Sequence, residues 1–307
     1  MSTLKTGIHH GLPMADYLAL AAVSSSRLKD LGRSPAYCHH RMTESSPATD
    51  ATNFGSFVDA LLLEPETARD RFLCAGPCAA KTKAGKACGN NGSLRLDGEW
   101  FCGVKGHAPE GATPPTAPVL KQPDYDRAFR VWDALQAHPW WQRFADRKPA
   151  TQQTLVWRDM ETDLVCKGRP DACALDDAGS ILMDLKVTRE ACQNVYPRKC
   201  VSLWHPQQLA WYAAGYEEHG VHVTERWILA VHPEPPHEVT AYRMSDDLNA
   251  WADRVVYERH QTYAHCVAQD WWPAGDYEVT VPLPDWATIG PKVEIDWSGI
   301  EDEEEAA

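Results

Sequence analysis

The chain has 307 residues, of which 44% are hydrophobic and 24% are charged, a balance typical of a soluble globular protein. No run reaches the ~18 apolar residues that a membrane helix needs, and the first residues lack the basic and apolar segments of a signal peptide, so we expect a cytoplasmic protein. The net charge of −13 argues against a general nucleic-acid binder but is compatible with a nuclease whose basic residues are locally concentrated.

The hydrophobic pattern predicts helices first, then a meander of strands, then helix, strand and helix. In chain order, the predicted elements are two helices within 13–43, helices over 54–64 and 123–146, strands over 154–157, 165–168 and 181–186, a helix over 203–216, strands over 226–231 and 239–244, and a helix over 246–269. This order predicts an α/β core with a mixed central β-sheet flanked by helices.

Changes in composition divide the chain into four parts. Residues 74–118 are rich in Cys, Gly, Lys, Ala and Pro and have little periodicity, which indicates an inserted module that ends in a linker. Residues 291–307 hold seven acids and are predicted to form a disordered tail. The remaining parts are an N-terminal helical part over 1–73 and a core over 119–290.

The most informative motif is a pair of aspartates and a lysine around a short apolar run. Asp171 ends the sequence GRPD, and Asp184 follows thirteen residues later, two residues before Lys186. Because side chains alternate along a strand, Asp184 and Lys186 share one face while Leu185 points into the core. Opposite charges are costly to bury, so such a cluster usually holds a metal ion and activates a water, which suits phosphodiester hydrolysis.

Several segments in a fixed order resemble the PD-(D/E)xK nuclease superfamily, and specifically its phage RecE-type (exonuclease VIII-like) branch. These segments are MADYL (14–18), VSSSRLK (23–29), GSFVDALLLEP (55–65), VCKGRPD (165–171), DLKVT (184–188), HPQQLAWY (205–212) and, more weakly, WWPAGDY (271–277). The resemblance implies a restriction-endonuclease-like core over most of the chain.

The resemblance also implies the residues of a metal site. Asp171 and Asp184 would be ligands of Mg²⁺ or Mn²⁺, with the carbonyl of Leu185 as a third ligand, and Lys186 would orient the attacking water. Magnesium prefers oxygen ligands and keeps several waters, so few carboxylates suffice when a phosphate supplies the rest. The alternative is a pair of turn or edge acids that hold no metal.

Substrate contacts are implied in the same way. Gln208 and Tyr212 lie one helical turn apart on the same face and would contact the substrate strand near the metals. Arg169 would bind a phosphate or, equally well, form a structural salt bridge to an acid in the core.

Two positions depart from the family pattern. The family carries a histidine where this chain has Asp59, and a glutamate where this chain has Gln152, followed by Gln153. Glutamine brings no negative charge, so a second metal would bind less tightly unless Asp59 supplies the carboxylate from the neighbouring helix. Otherwise we expect a one-metal or weakened nuclease, with Asp59 on a solvated face.

A second pattern lies within the inserted module, where CAAKTKAGKAC spans 78–88 and Cys102 and His107 follow. It resembles a small family of single-zinc modules, and the resemblance implies Zn²⁺ bound by Cys78, Cys88, Cys102 and His107. Three thiolates and one imidazole complete the tetrahedral shell of a structural zinc. The alternative is a set of unrelated reduced cysteines and a surface histidine.

The resemblance implies a metal-dependent DNA exonuclease of phage or prophage origin. It would degrade one strand of linear double-stranded DNA, in the 5′ to 3′ direction, and expose the other strand to a RecT-like annealing protein. Relatives form rings around DNA, so a homo-oligomer is expected. Two other hypotheses stay open: a DNA-binding or regulatory protein that has lost catalysis, and a zinc-dependent interaction adaptor on a nuclease scaffold.

Overall fold

The computed structural model describes residues 4–44, 49–82, 84–176, 179–275, 278 and 280–281. The chain divides into two compact units, Met1–Ala274 and Gly275–Ala307, and the helices and strands with assigned bounds all lie in the first. The predicted acidic tail over 291–307 lies outside the described residues, as do Asp276 and Tyr277 of the weaker resembling segment. Across the described ranges, no helix is long and apolar enough to cross a membrane.

Within these ranges the chain forms ten helices: α1 (Met14–Ala19), α2 (Ser25–Leu31), α3 (Pro35–Thr43), α4 (Asp50–Leu63), α5 (Pro65–Arg71), α6 (Gln122–Ala137), α7 (Pro139–Asp146), α8 (Tyr196–Lys199), α9 (His205–Glu217) and α10 (Asp246–Gln269). The single helix predicted over 123–146 is two helices. Pro139 disfavours helical backbone in His138, which is extended and separates α6 from α7. The two helices predicted within 13–43 are three, because Leu20 at the end of α1 is also extended.

The described residues also form twelve strands: β1 (Gly7–His9), β2 (Leu73–Cys74), β3 (Leu94–Leu96), β4 (Glu99–Phe101), β5 (Val119–Leu120), β6 (Ala150–Thr151), β7 (Thr154–Arg158), β8 (Val165–Gly168), β9 (Ala172–Asp176), β10 (Gly179–Val187), β11 (Glu225–Val231) and β12 (Val239–Arg243). β9 was not predicted, because its sequence ACALD lacks the β-branched and aromatic residues that signal a strand.

The central sheet has five strands in the order β12–β11–β10–β9–β6. β10 pairs in parallel with β11, and the other neighbours are antiparallel, so the predicted mixed sheet is confirmed. β7 and β8, however, join β1 in a separate antiparallel sheet. The prediction that 154–157, 165–168 and 181–186 form one continuous meander is therefore wrong.

The two faces of β10 pack into two different hydrophobic cores. Met183 and Leu185 lie in the core that α4 and α6 cover. Leu182 lies in the core that α2, α9 and α10 cover. Because side chains alternate along the strand, Asp184 and Lys186 lie on the same face of β10 as Leu182, toward α9.

The cysteine-rich segment is joined to the fold by a short parallel pair of strands. β2 precedes it and β5 follows it, with Leu73 opposite Val119 and Cys74 opposite Leu120. Between them, β3 and β4 form a small hairpin. The first and last residues of the segment therefore lie side by side, as in an insertion.

Candidate active site

Three aspartates from different elements are brought together around one lysine. Asp59 lies on α4, Asp171 immediately precedes β9, and Asp184 and Lys186 lie on β10. The Asp184 side chain is only 2% exposed and forms an ion pair with Lys186 Nζ, although Oδ2 of Asp184 has no partner with hydrogen-bond geometry among the described residues. Lys186 therefore compensates the most buried carboxylate of the cluster.

The carboxylate of Asp171 is fixed by two neighbouring donors. The backbone N–H of Leu185 donates to Oδ2 of Asp171 over 2.7 Å. Gln152 Nε2 donates to Oδ1 over 3.3 Å, and the Gln152 backbone N–H donates to the Asp171 carbonyl over 2.9 Å. Gln152, at the position where the family carries a glutamate, thus orients a predicted metal ligand and adds no charge.

The electrostatics of the cluster show that one ammonium group does not neutralise three carboxylates. Burial and then the Asp184 charge raise the pKa of Asp171 to about 7, while Lys186 and the two hydrogen bonds act in the opposite direction. Burial, Asp171 and Asp184 also raise the pKa of Asp59 well above its usual value. Burial lowers the pKa of Lys186, but the aspartates outweigh it and the net pKa is raised. Such a site favours an additional positive charge.

A cavity of about 540 Å³ opens onto this cluster. Its lining includes Asp59, Gln152, Arg169, Asp171 and Tyr212. The surface of α4 that faces the cavity also presents polar side chains, namely Thr52, Asn53 and Ser56. Asp59 accordingly points toward the other acids, and the alternative that it lies on a solvated face is wrong.

Tyr212 lies beside the same acids, and Gln208 contacts it. On α9, Gln208 Nε2 donates to Tyr212 Oη over 2.7 Å, which leaves the Tyr212 hydroxyl hydrogen for another acceptor. Burial first, and then the charge of Asp184, raise the pKa of Tyr212 well above its usual value. The phenol is therefore neutral and remains a donor.

Arg169 lines the cavity but already bonds to neutral groups. Its Nε and Nη2 donate to Thr154 Oγ1 over 3.0 and 2.6 Å, and Nη2 donates to the Leu12 carbonyl over 2.5 Å. Its guanidinium lies 4.8 Å from the centre of the Tyr17 ring. No acid of the described chain pairs with it, so the structural salt bridge named as an alternative is not formed. A phosphate contact stays a prediction.

Comparison with known proteins assigns the chain to a family. A family model described as "PDDEXK-like domain of unknown function (DUF3799)" matches residues 24–278, which is most of the chain. The chain belongs to this family. The predicted resemblance to the PD-(D/E)xK superfamily is thereby confirmed.

Two solved structures resemble the PDDEXK-like domain. A protein from Eubacterium rectale, described as a "putative exonuclease", is 12% identical with a TM-score of 0.55, over 95% of this chain and 100% of that one; such a likeness shows the fold. A second structure, SSO0001, is 16% identical with a TM-score of 0.27, over 38% of this chain and 52% of that one, a similarity too low to indicate a shared fold. No curated protein matches the chain in sequence.

One further residue of the PDDEXK-like domain lies near the site, although the sequence pattern assigned it no role. His205, at the start of α9, shares a 2.7 Å hydrogen bond between its Nδ1 and Tyr196 Oη. Burial first, and then the charges of Lys186 and Lys29, lower the pKa of His205 to about 3, so the imidazole is neutral. The signal was present, because His205 opens the resembling segment HPQQLAWY.

The three cysteines and the histidine of the PDDEXK-like domain's insertion form a second candidate metal site. The ligand atoms of Cys78, Cys88, Cys102 and His107 all lie within 4.8 Å of one another, and the three cysteines are buried. His107 Nδ1 is 3.1 Å from Cys102 Sγ. The backbone hydrogen bond of Val104 is the largest of several contributions that lower the pKa of Cys102 to about 6. A thiolate is the form that binds zinc, so this donor set fits the predicted ion.

Proposed function

We propose that the protein is a metal-dependent DNA exonuclease that hydrolyses phosphodiester bonds of linear double-stranded DNA. The observation that carries the proposal is the acid cluster at the cavity. The buried Asp184 is paired with Lys186 on β10, and the half-buried Asp59 on α4 and Asp171 immediately before β9 line the cavity beside them. A structural protein gains nothing from such uncompensated charge, since burying it is costly. A phosphate-cutting site requires both a cation site and a donor to the attacking water.

The carboxylates fit a hard divalent cation because burial, and then the charges of neighbouring aspartates, raise the pKa of Asp59 and of Asp171. Asp171 and Asp184 would hold Mg²⁺ or Mn²⁺, with the Leu185 carbonyl as a further ligand and Asp59 supplying the charge that Gln152 lacks. When bound, such an ion stabilises the charge that builds on the phosphate oxygens and lowers the pKa of a bound water.

The chain's own side chains would orient the reactants. Lys186 holds Asp184 in place and presents its remaining N–H groups on the same side, where one would hold the attacking water. The neutral Tyr212 hydroxyl, supported from behind by Gln208, would donate to a phosphate oxygen of the substrate. Arg169 would add positive charge at the cavity wall.

The finer parts of the proposal draw on the resembling segments. We expect digestion of one strand from its 5′ end, delivery of the other strand to a RecT-like annealing protein, a ring-shaped homo-oligomer, and a phage or prophage origin with function in the bacterial cytoplasm. The Eubacterium rectale protein described as a "putative exonuclease" supports action at ends. Duplex DNA is the expected partner.

The test is hydrolysis of linear duplex DNA that carries a different fluorophore at each 5′ end, with Mg²⁺ present. We expect the wild type to shorten the linear duplex from its ends and to leave a closed circular duplex intact, while Asp184→Ala and Lys186→Ala are inactive. Asp133→Asn, on the exposed surface of α6, serves as the matched control. Equal degradation by wild type and by both site variants would overturn the proposal.

A second candidate is a weakened or inactive nuclease fold that binds DNA. Gln152 favours it, since the side chain only bonds to Asp171 and brings no negative charge. Gln152→Glu distinguishes the two candidates. If the wild type binds duplex DNA without cutting it and Gln152→Glu restores cutting, the second candidate is right.

The cysteine cluster is proposed to hold one structural zinc ion that folds the inserted module. Few apolar residues are available there, and burial at this site is confined largely to the cysteines themselves. Phe72, just before the module, and Pro118, its last residue, line the catalytic cavity, so an ordered module would also shape the cavity entrance.

A further inference from the structure

A second groove of about 610 Å³ lies where α2, α9 and α10 meet. It is lined by basic, aromatic and amide side chains that the proposed chemistry does not use, among them Lys29, Arg33, Trp204, Gln207, Trp251 and Arg259, together with one acid, Asp30.

The groove concentrates positive charge in an acidic protein. The guanidinium of Arg33 lies 3.9 Å from the centre of the Tyr37 ring, and that of Arg259 lies 4.2 Å from the Trp204 ring. Lys29 Nζ donates to the carbonyl of Leu203 over 3.1 Å. Within the described ranges, none of these three cations is in an ion pair, so each keeps N–H donors for an anion.

The backbone makes room for one of these cations. A Cβ built on Gly32 would lie 2.1 Å from Arg259 Nη1, so a larger residue would displace the guanidinium. Arg259 Nη1 also donates to the Leu28 carbonyl over 3.1 Å. The charge of Arg259 is therefore held in a fixed position against α2.

Gln207 provides an independent sign of a ligand. Its side chain is 3% exposed and lines the groove. Nε2 donates only weakly to the Val201 carbonyl, over 3.4 Å, and Oε1 has no partner among the described residues. Buried polar atoms are nearly always hydrogen-bonded, so this oxygen is suited to accept from an N–H group that enters the groove.

The groove lies close to the acid cluster, at the start of α9. Gln207 precedes Gln208 on α9, and Trp204 immediately precedes His205 at the start of that helix. Burial first, and then the nearby charge of Lys186, lower the pKa of Lys29, so the two lysines lie close together. A strand bound at the acids that runs past the start of α9 would therefore reach the groove.

We propose that this groove binds an unpaired segment of the nucleic-acid strand adjacent to the phosphodiester being cut. Lys29, Arg33 and Arg259 would contact phosphates, Gln207 Oε1 would accept from a base amine, and the half-buried ring of Trp251 would stack on a base. Inside a duplex the base faces are hidden, so only an unpaired segment offers phosphates and base faces together. The inference rests on the proposed nuclease function and specifies the path of its substrate.

The test is binding of a fluorescent single-stranded oligonucleotide of about 20 nucleotides, measured by anisotropy over a range of salt concentrations. Asp184→Asn is the parent protein, so that the strand is not cut. Arg33→Gln should weaken binding and reduce the magnitude of the slope of log K against log salt by about 0.7, as expected for one lost phosphate contact. Trp251→Ala should weaken binding about tenfold, and Trp251→Phe should restore much of the loss.

Arg130→Gln, on the exposed surface of α6, is the matched control and should leave the affinity and the salt slope unchanged. If Arg33→Gln also leaves both unchanged, or if Trp251→Phe binds as weakly as Trp251→Ala, the groove does not hold the strand. The two proposals fail separately, because binding decides the groove while hydrolysis of linear duplex by the wild type decides the enzyme.

Discussion

Asp171→Asn is expected to stabilise the metal-free protein at alkaline pH while it abolishes hydrolysis. Burial and the neighbouring Asp184 raise the pKa of Asp171 from 3.8 to about 7. Because the folded protein binds this proton more tightly than the unfolded chain does, the contribution of Asp171 to stability is fully present below about pH 4. It is lost as the pH rises through about 7.

The magnitude follows from that shift. A rise from 3.8 to about 7 corresponds to roughly 4 kcal/mol of unfavourable free energy at pH 8, at about 1.4 kcal/mol per pKa unit. Water in the cavity screens part of this unfavourable free energy, and asparagine accepts a weaker hydrogen bond from the Leu185 N–H. The two effects together offset about 2 kcal/mol. The net gain of about 2 kcal/mol should raise the melting temperature by about 3 to 4 °C.

The assay is thermal unfolding of EDTA-treated protein at pH 8 and at pH 5, with Asp133→Asn as the control for an exposed acid. The stabilisation by Asp171→Asn should be clear at pH 8 and smaller at pH 5. Added Mn²⁺ should stabilise the wild type more than the variant, since the ion binds the folded state. A variant that melts below the wild type at pH 8, or a gain that is the same at both pH values, would refute the electrostatic account.

Three further changes test other parts of the structure. Lys186→Gln leaves the buried Asp184 without its cation, and thermal unfolding should show a loss of about 3 to 5 kcal/mol; an unchanged melting temperature would contradict the pairing. Cys88→Ser should lose the zinc that elemental analysis of the purified wild type detects, whereas retention of zinc would dismiss the site. Gly215→Ala places a Cβ 2.8 Å from the Trp157 ring and should cost about 1 to 3 kcal/mol in urea unfolding, although helix propensity alone would favour alanine.

Local patterns predicted the elements and one face of the site. The long helix α10 has the predicted bounds, Asp246–Gln269, since Ser245 caps its start and Asp270 ends it in a left-handed conformation. The alternation of side chains along β10 correctly set Asp184 and Lys186 on one face. Both results need only the nearest neighbours in the sequence.

Contacts between segments that are distant in the sequence could not be predicted from such local patterns. Nothing near Asp59 in the sequence indicates that α4 turns this side chain toward Asp171 and away from solvent, because that depends on how α4 packs on the sheet. β9 was missed since its pairing with β10, and not its composition, makes it a strand. Gln207 Oε1 lacks a hydrogen-bond partner among the described residues, and this likewise depends on the packing of α2 and α10 around α9.

The most direct measurement is the anomalous diffraction of a crystal soaked in MnCl₂. The account predicts a peak between the carboxylates of Asp171 and Asp184, with Asp59 nearby, and no peak at this position in crystals of Asp184→Asn. Manganese bound elsewhere, with these side chains as close as they are now and no peak between them, would contradict the central claim.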